Sequence, residues 1–384
     1  MKYDFAILGG GAAGLSLALE LVRSPLKEKS ILIIEKDAKK SNDRTWCYWT
    51  DEPGPLDDIA YRVWPNMHFR SDSLDRTWDL SPLRYQMVRG VDFYRYAEAE
   101  LEKHNVTFLI GTGEVEDGGA AATVRVDGQS AQAEWVFDSR IRPGDVVQNT
   151  RRYNYLKQHF TGWVIETDAS SFDPQTVTMF DLRTPQRGGV TFFYILPFSE
   201  TRALVEYTLF SSDLLPDSDY ELALRDYLAN NFGLRRYQIQ ETEHGVIPMT
   251  DHPFKRNLGQ RILAIGTRGG RVKPSTGYAF SRIQRDSQRI VSSLIQINHP
   301  FAIPPDSLRY RFFDTVILEV LAKEPQLGRP IFSAIFARNP VQRVLKFLDD
   351  STSLWEDLQI LSSPSPGPFL RALIREVKKL PYNL

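Results

Sequence analysis

Glu206 is a carboxylate in an otherwise apolar stretch. Residues 202 to 210, RALVEYTLF, alternate so that Ala203, Val205 and Tyr207 share one face of a strand and Leu204, Glu206 and Thr208 the other. An ionised carboxylate on such a surface is costly. Glu206 is therefore either paired, with Arg183 or Arg202 as candidate cations, or a neutral acid whose proton is held by burial. The second state is that of a proton donor working away from bulk water. A second cluster lies in NDRTWCYWTDEP, residues 42 to 53, which places Asp43, Arg44, Trp46, Tyr48 and Trp49 close together. Its rings either fill a core or line a site, and its charge pair could orient what that site holds.

Both clusters need a scaffold, and the first residues describe one. YDFAILGGGAAGLSLALELVRS runs from an apolar strand through a glycine cluster into a helical pattern, with Gly9, Gly11 and Gly14 in the spacing G-x-G-x-x-G. Gly9 permits the tight turn, Gly11 lets backbone approach a pyrophosphate, and Gly14 lets the helix lie close to its strand. Ala12 opens the helix, whose free N–H groups face the phosphates. SILIIEKD supplies a second strand ending at Glu35, 21 residues after Gly14, where a carboxylate can hold a ribose hydroxyl; Lys36 follows it. The combination predicts a dinucleotide site.

The rest of that site is scattered along the chain. AEWVFDSR reads as a strand running into Asp138. RILAIGTRGGRVKPSTGYAF, residues 261 to 280, reads as a strand, a glycine-rich turn and a helix from about Tyr278. That turn places Gly266, Thr267, Pro274, Thr276 and Gly277 against another part of the same cofactor, with Arg268 and Arg271 solvated or touching phosphate. NAD-dependent dehydrogenases complete the nucleotide domain in one block, so this interleaving points to FAD.

Composition narrows the class. The 384 residues can build two interleaved subdomains and a deep pocket. A formal net charge of -1 gives no polyanion-binding signal, so nucleic acid is not an expected partner. Cys47 is the one cysteine and the six His are scattered, which predicts neither disulfides nor a metal site. No charged-then-apolar leader and no apolar run of membrane-spanning length is found, and the chain reads as cytoplasmic. Ser218, three residues before Glu221, reads as the capping box of a surface helix ending at Gly233.

With these pieces in place, the sequence resembles the FAD-dependent lycopene cyclases, the soluble-type carotenoid ring-forming enzymes. The resemblance covers the chain to about residue 300 and rests on the glycine motif, DRTWCYW, FTGWVIETD, FYILPFSETRALVEYT, EHGVIPM and GGRVKPSTGYAF, in that order. It implies an α/β fold: a glutathione-reductase-like FAD-binding Rossmann domain interleaved with a substrate-covering sheet, and a helical C-terminal region. The expected segments are 1–80, 81–150 and 251–300 for FAD, 151–250 for the sheet and 301–384 for the helices. Flavin hydroxylases of the wider superfamily carry Asp-Gly and later Gly-Asp, where this chain has Asp138-Ser139 and Gly266-Thr267.

The resemblance also implies a reaction. A lycopene β-cyclase closes the ends of lycopene into β-ionone rings by protonating a terminal double bond, without net redox change. Glu206 matches the acid of the family motif, which reads Phe-Leu-Glu-Glu-Thr in plants; the second acidic position here is Tyr207. Reduced FAD, with NAD(P)H as its reductant, is implied as an electrostatic partner of the carbocation. Aromatic faces stabilise such a cation without trapping it, which would give Trp46, Tyr48 and Trp49 a place in the cavity wall. The same cofactor fold serves flavin monooxygenases and polyprenyl reductases, which consume NAD(P)H at every turnover. An isoprenoid carrier would use it without catalysis, and for a carrier Glu206→Gln would be silent.

An enzyme acting on lycopene must draw it from a bilayer. Residues 308 to 350 mix apolar and basic residues at helical spacing. They either pack on their own domain or present Phe332, Ile335, Phe336, Leu345 and Phe347, with Arg338, Arg343 and Lys346, to a membrane surface.

Overall fold

The computed structural model describes residues 1–146 and 151–379. Two of the expected segment ends, residues 150 and 384, lie outside the described residues.

The apolar runs near the N-terminus form the middle of a parallel sheet. Val106–Ile110, Ile31–Glu35, Lys2–Leu8 and Gln129–Asp138 lie side by side in that order, and Ile262–Ala264 pairs with the end of Gln129–Asp138. Residues 5–8 and 31–34, in the middle of the sheet, are apolar throughout because both faces are covered. Ala12–Val22 and Phe280–Ile297 pack on one face through Leu17, Leu21, Ile290 and Leu294. The hairpin strand Ala122–Val126 packs on the other with Leu8, Leu32 and Val136. The predicted strands ending at Glu35 and Asp138 are present, and the helix expected from about Tyr278 begins at Phe280.

A second seven-stranded sheet stands beside the first. Its order is Gln238–Thr250, Tyr155–Glu166, Arg202–Ser211, Val190–Pro197, Thr176–Asp181, Asn66–Arg70, Asp75–Asp79. The sheet therefore recruits residues 66–79 from the stretch assigned to the first FAD segment. The reason is burial: Met67 and Phe69 are fully enclosed in the core between this sheet and the C-terminal helices. Thr45–Thr50, Arg84–Arg89 and Arg62–Trp64 form a small antiparallel sheet at the junction.

Asp217–Phe232 packs Tyr220, Leu224, Tyr227 and Leu228 on the second sheet and ends at Gly233 in the left-handed region, φ 68. The expected capping box does not form, because the helix starts one residue before Ser218 and Pro216 is its N-cap, with no side-chain cap.

The C-terminal region is helical: Leu308–Lys323, Gly328–Arg338, Val341–Leu348, Leu354–Leu361 and Pro366–Lys379. Of the two readings of residues 308 to 350, the apolar side chains from Phe332 to Phe347 follow packing on their own domain. Phe336 and Leu345 are buried, Phe336 stacking on Phe69 at 4.5 Å, and Phe332, Ile335 and Phe347 pack against the same core. Exposed apolar side chains lie instead at Leu354, Trp355 and Leu358, and at Leu370, Ile374 and Val377. Among the described residues no helix is long and apolar enough to cross a membrane.

Candidate active site

The strand Lys2–Leu8 delivers the chain into a turn at Gly9, whose φ of 104° disfavours any residue with a side chain. A Cβ on Gly14 would strike the Gly9 carbonyl, so the following helix lies against the strand as its spacing predicted. Gly11, the N-cap, faces open space: a Cβ there meets nothing within 4 Å. The helix start at Ala12 has no side-chain cap and no acid in its first turn, leaving N–H dipoles for an anion. Glu35 ends its strand beside this turn and accepts the Gly10 N–H at 2.6 Å, while Lys36 is exposed. Gly266 abuts Ala13, and Thr267 follows it, so the second glycine turn meets the first. Pro274 borders a neighbouring cleft of about 950 Å³, Thr276 is half-buried, and Gly277 abuts the Gln158 side chain. An open glycine, uncapped helix dipoles and a carboxylate 21 residues beyond the motif fit a dinucleotide such as FAD.

The side chain of Asp138 is satisfied by the protein itself. Arg140, Arg142 and Arg268 surround its carboxylate, Arg140 at 2.9 Å, and Asp138 is fully buried. Burial opposes its ionisation, but the Arg140 and Arg268 guanidinium groups hold it below the usual carboxylate range. Arg268 and Arg271 are accordingly buried ion-pair partners and not solvated groups; Arg271 binds Asp306 at 3.0 Å.

Glu206 lies on the buried face of Arg202–Ser211, 8% exposed. Neither candidate cation pairs with it: Arg183 binds Asp181 at 2.8 Å and Arg202 binds Glu241 at 3.4 Å. Its neighbour is another acid. In the sheet, Glu206 stands opposite Gly162, and Gly162 stands opposite Glu243 on the next strand. The two side chains stand on the same face of the sheet over the glycine, and each weighs on the ionisation of the other. A Cβ on Gly162 would lie 3.2 Å from Glu243 Cγ and 3.5 Å from Glu206 Cβ. Thr208 donates its hydroxyl to Glu206 at 2.7 Å, and Thr45 donates to Glu243 at 2.7 Å. Burial, then the like charge of Glu243, raises the proton affinity of Glu206 well above the ordinary carboxylate value. Burial also raises that of Glu243.

The aromatic stretch divides by strand alternation. In Thr45–Thr50, Trp46 and Tyr48 face the nucleotide domain, where Trp46 stacks on Phe280 at 5.3 Å. They are core packing. Thr45, Cys47 and Trp49 point the other way, Thr45 to Glu243 and Trp49 edge-on to Tyr278 at 5.3 Å. Tyr278 lies 3.4 Å from the Tyr194 hydroxyl, and Tyr194 stands opposite Glu206 in the sheet. Burial keeps the Cys47 thiol and the Tyr85, Tyr194 and Tyr278 phenols protonated. Asp43 lies outside this cluster. Its carboxylate accepts the Tyr94 hydroxyl at 2.7 Å and Lys39 at 3.0 Å, and these hold it below its ordinary value against the effect of burial. Arg44 is exposed and donates to the Asp43 carbonyl at 2.6 Å.

Glu243 also lines an open cleft of about 380 Å³ with Thr45, Arg89, Arg202 and Glu241. Glu206 is not in its wall. Among the described residues no three His, Cys, Asp or Glu side chains gather as a metal site.

Sequence reasoning missed Gly162, Glu243 and Thr45. A glycine inside the strand-like FTGWVIETD was the available signal, since such a glycine marks a close approach. Glu243 stands in EHGVIPM, where nothing local ties it to Glu206.

A family model described as "Lycopene cyclase protein" matches residues 4–374. The chain is similar to the chloroplastic lycopene beta cyclase of Solanum lycopersicum, 26% identical over 319 residues, covering 76% of this chain and 60% of that protein. It thus spans about 60% of the length of that relative. A lycopene beta-cyclase of a Paracoccus species is 27% identical over 300 residues, covering 73% of this chain and 71% of that protein. Among solved structures, a flavoprotein/dehydrogenase from Cytophaga hutchinsonii shares the fold, with TM-score 0.66 and 11% identity over 99% of this chain and 100% of that one.

Proposed function

We propose that this chain, which belongs to the lycopene cyclase family, closes the ends of lycopene or a related acyclic carotenoid into β-ionone rings, giving γ-carotene and β-carotene. The reading rests on one observation above all: Glu206 is a buried acid that no cation pairs with and whose charged neighbour across Gly162 is another carboxylate. Both burial and the like charge favour its protonated form.

Glu206 would give its proton to the terminal double bond, and the chain's π electrons would attack the resulting cation to close the ring. Loss of a proton then restores a neutral product, so no electrons are gained or lost. Trp49, Tyr85, Tyr194 and Tyr278 present ring faces that favour positive charge. Their phenols and the Cys47 thiol, kept protonated by burial, are poor traps for it. Gly9, Gly11, Ala12, Gly14 and Glu35 would hold FAD with Gly266, Thr267, Thr276 and Gly277. When bound and reduced by NAD(P)H, FAD supplies fixed negative charge to a dry site.

Lycopene does not dissolve in water, so we place the enzyme on a bilayer surface facing the cytoplasm, docked through Leu354, Trp355, Leu358, Leu370, Ile374 and Val377. Expression in a lycopene-accumulating bacterium, followed by pigment chromatography, tests the activity. Cyclic carotenoids are expected. Unchanged lycopene beside folded, FAD-loaded protein would overturn the proposal.

A further inference from the structure

If Glu206 is the acid, something must keep its proton on at the pH of the cell. The groups that face it come from three other elements. Cys47 stands on Thr45–Thr50, Tyr194 on Val190–Pro197, and Tyr278 on the turn before Phe280–Ile297. All three are neutral in this surrounding and contribute no charge. The remaining neighbour is Glu243 on Gln238–Thr250, across the bare backbone of Gly162.

The two acids are not equivalent. Glu206 is enclosed, and its one hydroxyl partner, Thr208, is fully buried. Glu243 reaches the open cleft, which Arg89 and Arg202 also line, and receives the Thr45 hydroxyl; the like charge of Glu241 opposes its ionisation and Arg44 favours it. Each acid has one hydroxyl donor, so the asymmetry lies in the cleft and its cations, which favour the ionised form at Glu243 and do not border Glu206. Two neighbouring carboxylates cannot both ionise without strong repulsion, so one proton is shared and the deeper site holds it.

We propose that Glu243 is the ionised partner of Glu206, positioned by Gly162 and Thr45 to keep Glu206 protonated for transfer to the polyene. Glu243 acts through Glu206 and is a positioning residue, not the donor. The inference rests on the cyclase reading above and assigns that site a second, necessary carboxylate.

The test is the pH profile of ring closure, measured with lycopene in lipid vesicles and the FAD-loaded, reduced enzyme. The wild type loses activity as pH rises past the point where Glu206 ionises. Glu243→Gln removes the like charge and offers an amide N–H to ionised Glu206, so this loss is expected at least one pH unit lower, with activity recovered on acidification. Glu243→Asp keeps the charge and should keep the limb near its wild-type position. A purely structural role would lower the rate by the same factor at every pH, and an unmoved limb in Glu243→Gln overturns the proposal. Flavin absorbance and thermal unfolding confirm that each variant is folded. Glu206→Gln separates the two readings: if it still cyclises lycopene, the donor assignment fails; if it is inactive while the Glu243→Gln limb stays put, only the role of Glu243 fails.

Discussion

Glu206 and Glu243 belong to strands that do not pair with each other, yet their side chains flank one point, because the strand between them carries Gly162 opposite both. A side chain at 162 would stand between them. The site is an acid pair built over a gap in a sheet.

Placing an alanine in that gap tests the geometry. The new methyl would lie 2.9 Å from Leu204 Cδ1, 3.2 Å from Glu243 Cγ and 3.5 Å from Glu206 Cβ, so neighbours must shift. Overpacking of this kind costs roughly 1–3 kcal/mol, and denaturant unfolding of Gly162→Ala should show a loss of that order. Cyclisation should fall well beyond the fraction unfolded. A stable and fully active Gly162→Ala would show that the acids do not need the gap.

Stability should depend on pH through Glu206, and the sign is fixed by its raised proton affinity. Below the unfolded carboxylate value of 4.5 both states hold the proton and the group is neutral in the balance. As pH rises through that value toward the higher folded one, the unfolded chain ionises first, and the folded state loses stability. Glu206→Gln has no such loss. Its unfolding free energy should match the wild type in acid and exceed it increasingly above pH 4.5, by about 1.4 kcal/mol for each unit of raised affinity. Parallel curves across the whole range would contradict a buried, protonated Glu206.

The nucleotide turn allows protein stability to be separated from cofactor binding. Gly11 has φ -89 and open space where a Cβ would sit, so alanine is accommodated by the protein. Gly11→Ala should unfold within about 0.5 kcal/mol of wild type, as surface changes do. Yet its methyl stands where a pyrophosphate would approach, and the FAD dissociation constant should rise at least tenfold, read by flavin fluorescence. Gly14→Ala is the contrast: its Cβ collides with the Gly9 carbonyl, so folding itself should suffer. Unchanged FAD affinity in Gly11→Ala would place the cofactor elsewhere.

Membrane docking should follow the exposed residues and not the alternative patch at Phe332 to Phe347. Leu354, Trp355 and Leu358 are exposed, whereas Phe336 and Leu345 are buried. A Trp355→Ser, Leu358→Ser double variant should remain folded and lose most vesicle co-sedimentation. Equal binding by wild type and variant, or none by either, would remove this surface from the account.

The chain itself determines everything that depends on neighbours in sequence. The glycine spacing, the strand ending at Glu35 and the alternation around Glu206 follow from local periodicity and backbone freedom, and each is legible in the sequence alone. The alternation in TWCYWT is legible too, but not which face meets which domain; only packing sends Trp46 and Tyr48 into the nucleotide core and Thr45 and Trp49 toward the acids. The helical period of residues 308 to 350 likewise does not say whether its apolar side meets the sheet or solvent. Above all, the pairing of Glu206 with Glu243 is invisible in one dimension. It is set by the register of three strands far apart in the chain, and register is fixed by which faces are buried once the whole sheet has formed.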